Sequence, residues 1–210
     1  MNICVDLAEE VGIHIGDGSM NYYSGIPTYT IACHRMDDRD FVKNHIAPLI
    51  SRLYGIEPKL KEWSQGTYGF RIYPKEMVEF KHRVLRLPLG KKKEIRIPDV
   101  FLRNPDLYLA CLRGIFSTDG CFYLEHKYGR LYPSLIFITT SRILAYQIKN
   151  LLEKEAMSVS ISQKKVPSHW RHLYHITTRG LKNLEIWCKK IGFINTKHLT
   201  KLQLSNQKII

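Results

Sequence analysis

The sequence predicts an α+β protein made of two copies of an αββαββα unit, related by internal pseudo-twofold symmetry. Three observations carry this. An unusual helix end occurs twice, in LAEEVGIHIGDGSM (7–20) and LACLRGIFSTDGCF (109–122); Gly12, Ile13, Asp17 and Gly18 match Gly114, Ile115, Asp119 and Gly120 at an offset of 102 residues. The same offset relates two amphipathic segments further on. Hairpin-like segments follow in the same order in both halves, which marks a duplicated unit. At 210 residues the chain has room for a real core.

Each unit opens with the glycine-bearing helix. A mid-helix glycine costs about 1 kcal/mol relative to alanine, and an aspartate at a helix C-terminus meets the negative end of the dipole. Both penalties recur in phase. The first hairpin follows, at 21–23 with 28–34 and at 122–127 with 134–140, its turns marked by Gly25, Pro27 and Gly129. A second helix is predicted over 39–53, where Val42, Ile46, Leu49 and Ile50 share a face, and over 141–155, where Leu144, Ile148, Leu151 and Leu152 do. Pro48 is expected to kink the first of these. A second hairpin lies at 59–63 with 67–73 and at 159–165 with 171–177, and a closing helix at 75–85 and at 181–191. The units are placed at 1–87 and 105–210. Residues 88–104, rich in Pro, Gly and charge, form the expected linker, with Gly90–Lys93 read as solvated or touching phosphate. Residues 193–206 suit a short terminal helix.

The formal net charge of +13 points to nucleic acid or an anionic surface. No apolar run approaches the ~20 residues of a membrane span, so no membrane association is expected. The N-terminus lacks a basic region before an apolar run, so no signal peptide is expected. The five cysteines are widely spaced with no C-x-x-C pair, which fits a reducing compartment, and a cytoplasmic, nucleoid-associated location is expected.

Small residues four apart, Gly12 with Gly16 and Gly114 with Thr118, let the two motif helices pack with their backbones close. That packing brings Asp17 and Asp119 together at one end of the interface. Paired carboxylates repel unless a cation lies between them, and oxygen donors favour Mg²⁺ or a similar hard ion. Such a site suits phosphodiester hydrolysis.

EVGIHIGDG and LRGIFSTDG resemble two copies of the LAGLIDADG motif, and the chain resembles single-chain, double-motif LAGLIDADG homing endonucleases of the archaeal intron-encoded type. The resemblance spans nearly the whole chain. It implies motif helices at the central interface and two curved antiparallel sheets forming a saddle over double-stranded DNA. It also implies a divalent cation bound by Asp17 and Asp119, with main-chain oxygens near Gly16 and Thr118. Many members carry a Gln-Lys or Asn-Lys pair at the end of the second strand. Here Cys33-His34-Arg35-Met36 and Thr139-Thr140-Ser141-Arg142 stand there without lysine, leaving His34, Arg35 and Arg142 as auxiliary candidates.

Strand alternation selects the DNA-facing side chains. In the first unit these are Asn21, Tyr23, Lys59, Lys61, Trp63, Thr67, Arg71 and Tyr73. In the second they are Tyr123, Glu125, Lys127, Ser158, Ser160, Ser162, Lys164, Arg171, His175 and Thr177. A β-ribbon carrying such residues can enter the major groove. Three functions are compatible: a metal-dependent, site-specific endonuclease making double-strand breaks, an intron maturase binding intron RNA, and an inactive DNA-binding protein on the same scaffold. Retention of both aspartates favours the first; absence of the lysines favours the others. Both halves of the interface lie in one chain, so a monomer with no protein partner is expected. The ends show no splicing residues, so an intein is not expected.

Overall fold

The computed structural model describes residues 2–127, 130–164 and 172–209. Helix α1 (Val5–Asp17) leads directly into strands β1 (Gly18–Tyr23) and β2 (Ile26–His34). The second helix is split: α2 (Arg39–Phe41) and α3 (Ala47–Tyr54) are joined by a π-helical turn, Val42–Ile46. Pro48 gives this discontinuity a physical cause, because it has no N–H to donate and its ring crowds the preceding turn. Strands β3 (Lys61–Trp63) and β4 (Thr67–Ile72) and helix α4 (Lys75–Arg83) complete the first unit.

After the short α5 (Asp99–Leu102), α6 (Pro105–Asp119) begins the second unit. Asn104 caps it, its Oδ1 accepting from Asp106 N at 2.9 Å, with Pro105 at the position that needs no N–H. Strands β5 (Gly120–Lys127) and β6 (Arg130–Thr139), α7 (Arg142–Lys154), β7 (Ser160–Lys164), β8 (Leu173–Arg179), α8 (Leu181–Lys190) and α9 (Thr196–Ile209) follow. The two antiparallel sheets have equivalent orders, β1-β2-β4-β3 and β5-β6-β8-β7. The first hairpins differ in length: Gly18 pairs with Ile31, whereas Gly120 pairs with Phe137.

One face of each sheet is apolar. Met20, Tyr29, Ile31, Phe70 and Ile72 build the first core, and Phe122, Leu135, Phe137 and Ile176 the second. The connecting segment is not a free tether. Gly90 N donates to Met20 O at 2.7 Å, and Gln147 brackets Ile97 through its amide, accepting from Ile97 N at 2.8 Å. Ile95, Ile97 and Phe101 are buried. In the run expected to be solvated, Gly90, Lys91 and Lys93 are exposed and Lys92 is half-buried, while the apolar residues further along the connecting segment pack inward. Among the described residues, no helix is long and apolar enough to cross a membrane.

Candidate cation site and nucleic-acid interface

Helices α1 and α6 meet backbone to backbone. A Cβ on Gly12 would overlap the carbonyl oxygen of Cys111, and one on Gly114 would overlap that of Glu9. A Cβ on Gly16 would collide with the Thr118 hydroxyl and lie 3.4 Å from Asp119 Cγ. Gly18 and Gly120 are glycines for a related reason. Their backbone is extended, but a Cβ would strike the His14 and Phe116 carbonyls where each helix turns straight into its strand. The close seam and the abrupt helix-to-strand turn together place Asp17 and Asp119 side by side.

The electrostatics register that proximity. Burial raises the Asp119 carboxyl to about 6, helped by Asp17 and opposed by Lys92 and Lys197. Burial also raises Asp17; the Cys33 thiol, which donates to it, lowers it, Asp38 raises it, and Lys92 and Lys197 lower it. Asp119 keeps a solvent-exposed edge while Asp17 is half-buried. The Lys92 ammonium donates to Ile15 O at 2.8 Å, to His14 O at 3.3 Å and to Gly16 O. These carbonyls end α1 and have few donors within the helix. A cleft of about 220 Å³ opens here, lined by Gly16, Lys92, Asp119, Thr139 and Thr140 among others. On the other side, Asn195 donates to Asp38 Oδ1 at 2.7 Å and to Ser117 O at 2.8 Å, tying the two units together, while Lys197 pairs with Asp38 at 2.8 Å.

Lys92 and Lys197 are the cations that act on both aspartates, and neither was selected from the sequence. The auxiliary candidates turn elsewhere. His34 Nδ1 lies 3.1 Å from Asp37, Arg35 lies 3.6 Å from Glu62, and the Arg142 guanidinium lies 5.6 Å from the centre of the Tyr146 ring. His34 and Arg142 turn to partners within four residues of them, and Arg35 reaches across to β3. Two carboxylates and the Gly16 carbonyl form a hard oxygen set that fits a magnesium-like ion. Thr118 stands against Gly16, its hydroxyl donating to Ile115 O at 3.0 Å. Among the described residues no cluster of three His, Cys, Asp or Glu side chains could hold a metal, so carbonyl, water or phosphate oxygens would have to complete the shell.

Register puts most of the selected side chains on the face opposite each core. In the first sheet, Asn21 pairs with Thr28 and Tyr23 with Ile26, Arg71 with Thr30, and Trp63 with Thr67 opposite His34. Lys61 shares that face; its ammonium lies 4.9 Å from the centre of the Trp63 ring. Arg71 Nε donates to Thr30 Oγ1 at 3.2 Å. In the second sheet, Tyr123 pairs with Ser134 and Glu125 with Tyr132, Ser160 with Thr177, and Ser162 with His175, while Lys164 ends the same row. Several expectations are corrected. Lys59 and Tyr73 lie just outside β3 and β4, and Ser158 precedes β7, its N–H bound by Asn183 Oδ1 at 3.1 Å. Thr177 lies on this face but is buried beneath its neighbours. Arg171 and the Lys127 side chain lie outside the described residues. The sequence reading missed Thr30, Tyr132 and Arg179; Arg179 pairs across to Ser134 and reaches Glu125 at 3.3 Å. Alternation over a strand that ends at residue 177 does not reach it; the same alternation carried two residues further does.

Comparison with known proteins agrees with this architecture. Residues 106–192 match the LAGLIDADG-like domain model. The homing endonuclease I-DmoI, solved in complex with DNA and Mn, superimposes with a TM-score of 0.64 at 17% identity, covering 91% of this chain and 98% of that one. The LAGLIDADG meganuclease I-AabMI, bound to uncleaved DNA, gives a TM-score of 0.58 at 13% identity over 97% and 93% of the two chains. The chain thus contains a LAGLIDADG-like domain and has the two-unit fold of single-chain LAGLIDADG homing endonucleases. Among curated relatives from Methanocaldococcus jannaschii, a replication factor C small subunit is 28% identical over 94% of this chain, and a glutamine–fructose-6-phosphate aminotransferase is 24% identical over 94% of it. The chain spans only 10% and 17% of their lengths.

Proposed function

We propose that this protein is a site-specific DNA endonuclease that makes double-strand breaks with a divalent cation, Mg²⁺ by the hardness of its donors, held at Asp17 and Asp119. The observation that carries the reading is the backbone-close seam of α1 and α6, which brings two carboxylates together at the helix ends. The basic faces of the two sheets support double-stranded DNA as the partner, with Lys61, Arg71, Lys164 and Arg179 as phosphate or base contacts. The neighbours solved with DNA favour this over an RNA-binding role. The two curated relatives have unrelated activities yet share this segment, which supports an autonomous module at 1–87 and 105–210 joined by 88–104. The motif resemblance supports an archaeal, intron-encoded type.

The bound ion would stabilise charge on the scissile phosphates and lower the pKa of water. The chain's own residues do the rest. Asp17 and Asp119 fix the cation position from two rigid helix ends. The sheets hold the duplex in register. Lys197, through Asp38, keeps positive charge close to the pair. A screen of plasmid libraries for Mg²⁺-dependent cleavage, followed by Asp17→Asn and Asp119→Asn, tests the reading. Wild type should cut both strands at a selected site, and each variant should bind that site without cutting both strands. Cleavage by either variant at the wild-type rate would remove that aspartate from the site; a wild type that binds and never cuts would identify an inactive DNA-binding protein.

A further inference from the structure

We infer that the two sheets read guanine at unequal distances from the middle of the target, Arg71 close in and Arg179 about two base pairs further out, and that the outer end of the first sheet takes thymine. The inference rests on the proposed DNA interface and names the sequence pattern it selects.

The registers of the two sheets correspond residue for residue. Gly18 pairs with Ile31 and Gly120 with Phe137, each one residue beyond its motif aspartate, so both sheets can be counted outward from the same point. The next rung is Ser19–Thr30–Arg71 in the first sheet and Cys121–Ile136–Thr177 in the second. Two residues further out, Asn21 pairs with Thr28 in the first sheet, and Tyr123–Ser134–Arg179 is the rung of the second. The arginine has moved outward by two residues, about 7 Å along the strand, or two base-pair steps. Each guanidinium is held through its Nε, Arg71 on Thr30 Oγ1 at 3.2 Å and Arg179 on Glu125 Oε2 at 3.3 Å. Both side chains are exposed, and among the described residues no partner takes their terminal amino groups, which match the O6 and N7 edge of guanine.

The outermost rungs differ in kind. The first sheet pairs Tyr23 with Ile26 where the second pairs Glu125 with Tyr132. Tyr23 and Ile26 are 56% and 54% exposed, and Tyr73, two residues beyond Arg71, is 63% exposed. Ile26 has no side-chain atom that can hydrogen-bond a base edge. It can bury the C5 methyl of thymine, which that base alone presents in the major groove.

The test selects binding sites for the full chain from a randomised duplex library in Ca²⁺ and repeats the selection with Arg71→Ala, Arg179→Ala and Ile26→Ser. Wild type should enrich one consensus, and the protected footprint gives its middle. Arg71→Ala should relax one guanine, and Arg179→Ala another in the opposite half, about two base pairs further from the middle. Each should lose about tenfold in discrimination. Preferences at all other pairs should stand, which separates a lost contact from lost folding. Placing 7-deazaguanine at each consensus guanine removes the N7 acceptor and tests the same contacts on the wild-type protein. Replacing the outer thymines by deoxyuridine, which lacks only the methyl, should weaken wild type about fourfold and leave Ile26→Ser unaffected. Guanines lost at equal distances from the middle, or no guanine lost, overturn the register reading. Deoxyuridine bound by wild type as tightly as thymine overturns the apolar contact. Both results leave the endonuclease reading standing, whereas a selected pool without any consensus overturns that reading itself.

Discussion

Replacing Gly12 with alanine sets two effects of opposite sign against each other. Helix propensity alone favours alanine by about 1 kcal/mol. The structure opposes it: the new methyl would overlap the Cys111 carbonyl and crowd Ile115 N, both backbone atoms that no rotamer can move. The helices would have to part by about 1 Å, and a radial gap of 0.5–1 Å already forfeits a quarter to a half of each dispersion contact. Along a seam where Gly12 faces Cys111 and Ile115 and Gly114 faces Glu9 and Ile13, that loss exceeds the propensity gain. The expected net effect is a loss of about 2–4 kcal/mol, or roughly 5–15 °C in midpoint at about 2–4 °C per kcal/mol. Urea denaturation in EDTA of the Gly12→Ala and Gly114→Ala variants measures it. A midpoint equal to or above wild type in both would mean that the backbones are not in contact and that the aspartates are not held together by this seam.

Lys81→Met should cost about 3–5 kcal/mol, because it strands the buried Glu10 carboxylate, to which Lys81, Tyr29 and Tyr54 all donate; Arg52→Ala, which breaks an exposed pair with Asp6, should stay within about 0.5 kcal/mol by the same denaturation assay. Burial, with Lys197 and Lys201 adding to it, lowers His198 to about 4, so the unfolded chain takes up a proton that the folded one refuses between about 6.5 and 4. Stability should therefore fall as pH drops through that window, by up to about 2–3 kcal/mol, and His198→Phe should remove that component of the slope. Asp119 behaves in the opposite sense: its raised carboxyl means that stability falls as pH rises from about 4 toward 6, and Asp119→Asn should stabilise the metal-free protein at pH 7 by up to about 1 kcal/mol after allowance for its exposed edge. With about six phosphate contacts, DNA affinity should fall with salt at a log–log slope near −5; a flat response in a filter-binding titration would remove the basic sheet faces from the interface.

The duplicated unit, the order of its elements and the two faces of each sheet are legible in the residues alone. Those features rest on local periodicity: Val42, Ile46, Leu49 and Ile50 mark a helix face, and Tyr68, Phe70 and Ile72 mark the inner side of a strand, whatever surrounds them. The repeated Gly and Asp positions also named the helix pair and the carboxylates, because a penalty accepted twice in phase has a shared cause. Which cations face those carboxylates emerges from the folding of distant segments. Lys92 reads as one of three lysines that are solvated or touch phosphate, and Lys197 as part of an ordinary terminal helix. Their positions depend on how the connecting segment and α9 cross the end of the α1–α6 seam, where helix-end carbonyls and the carboxylates of Asp17, Asp38 and Asp119 draw in the nearest ammonium. The Glu10–Lys81–Tyr29 network was hidden for the same reason. Its members lie 19 and 71 residues from Glu10, and no periodicity links a buried charge to a partner supplied by another element.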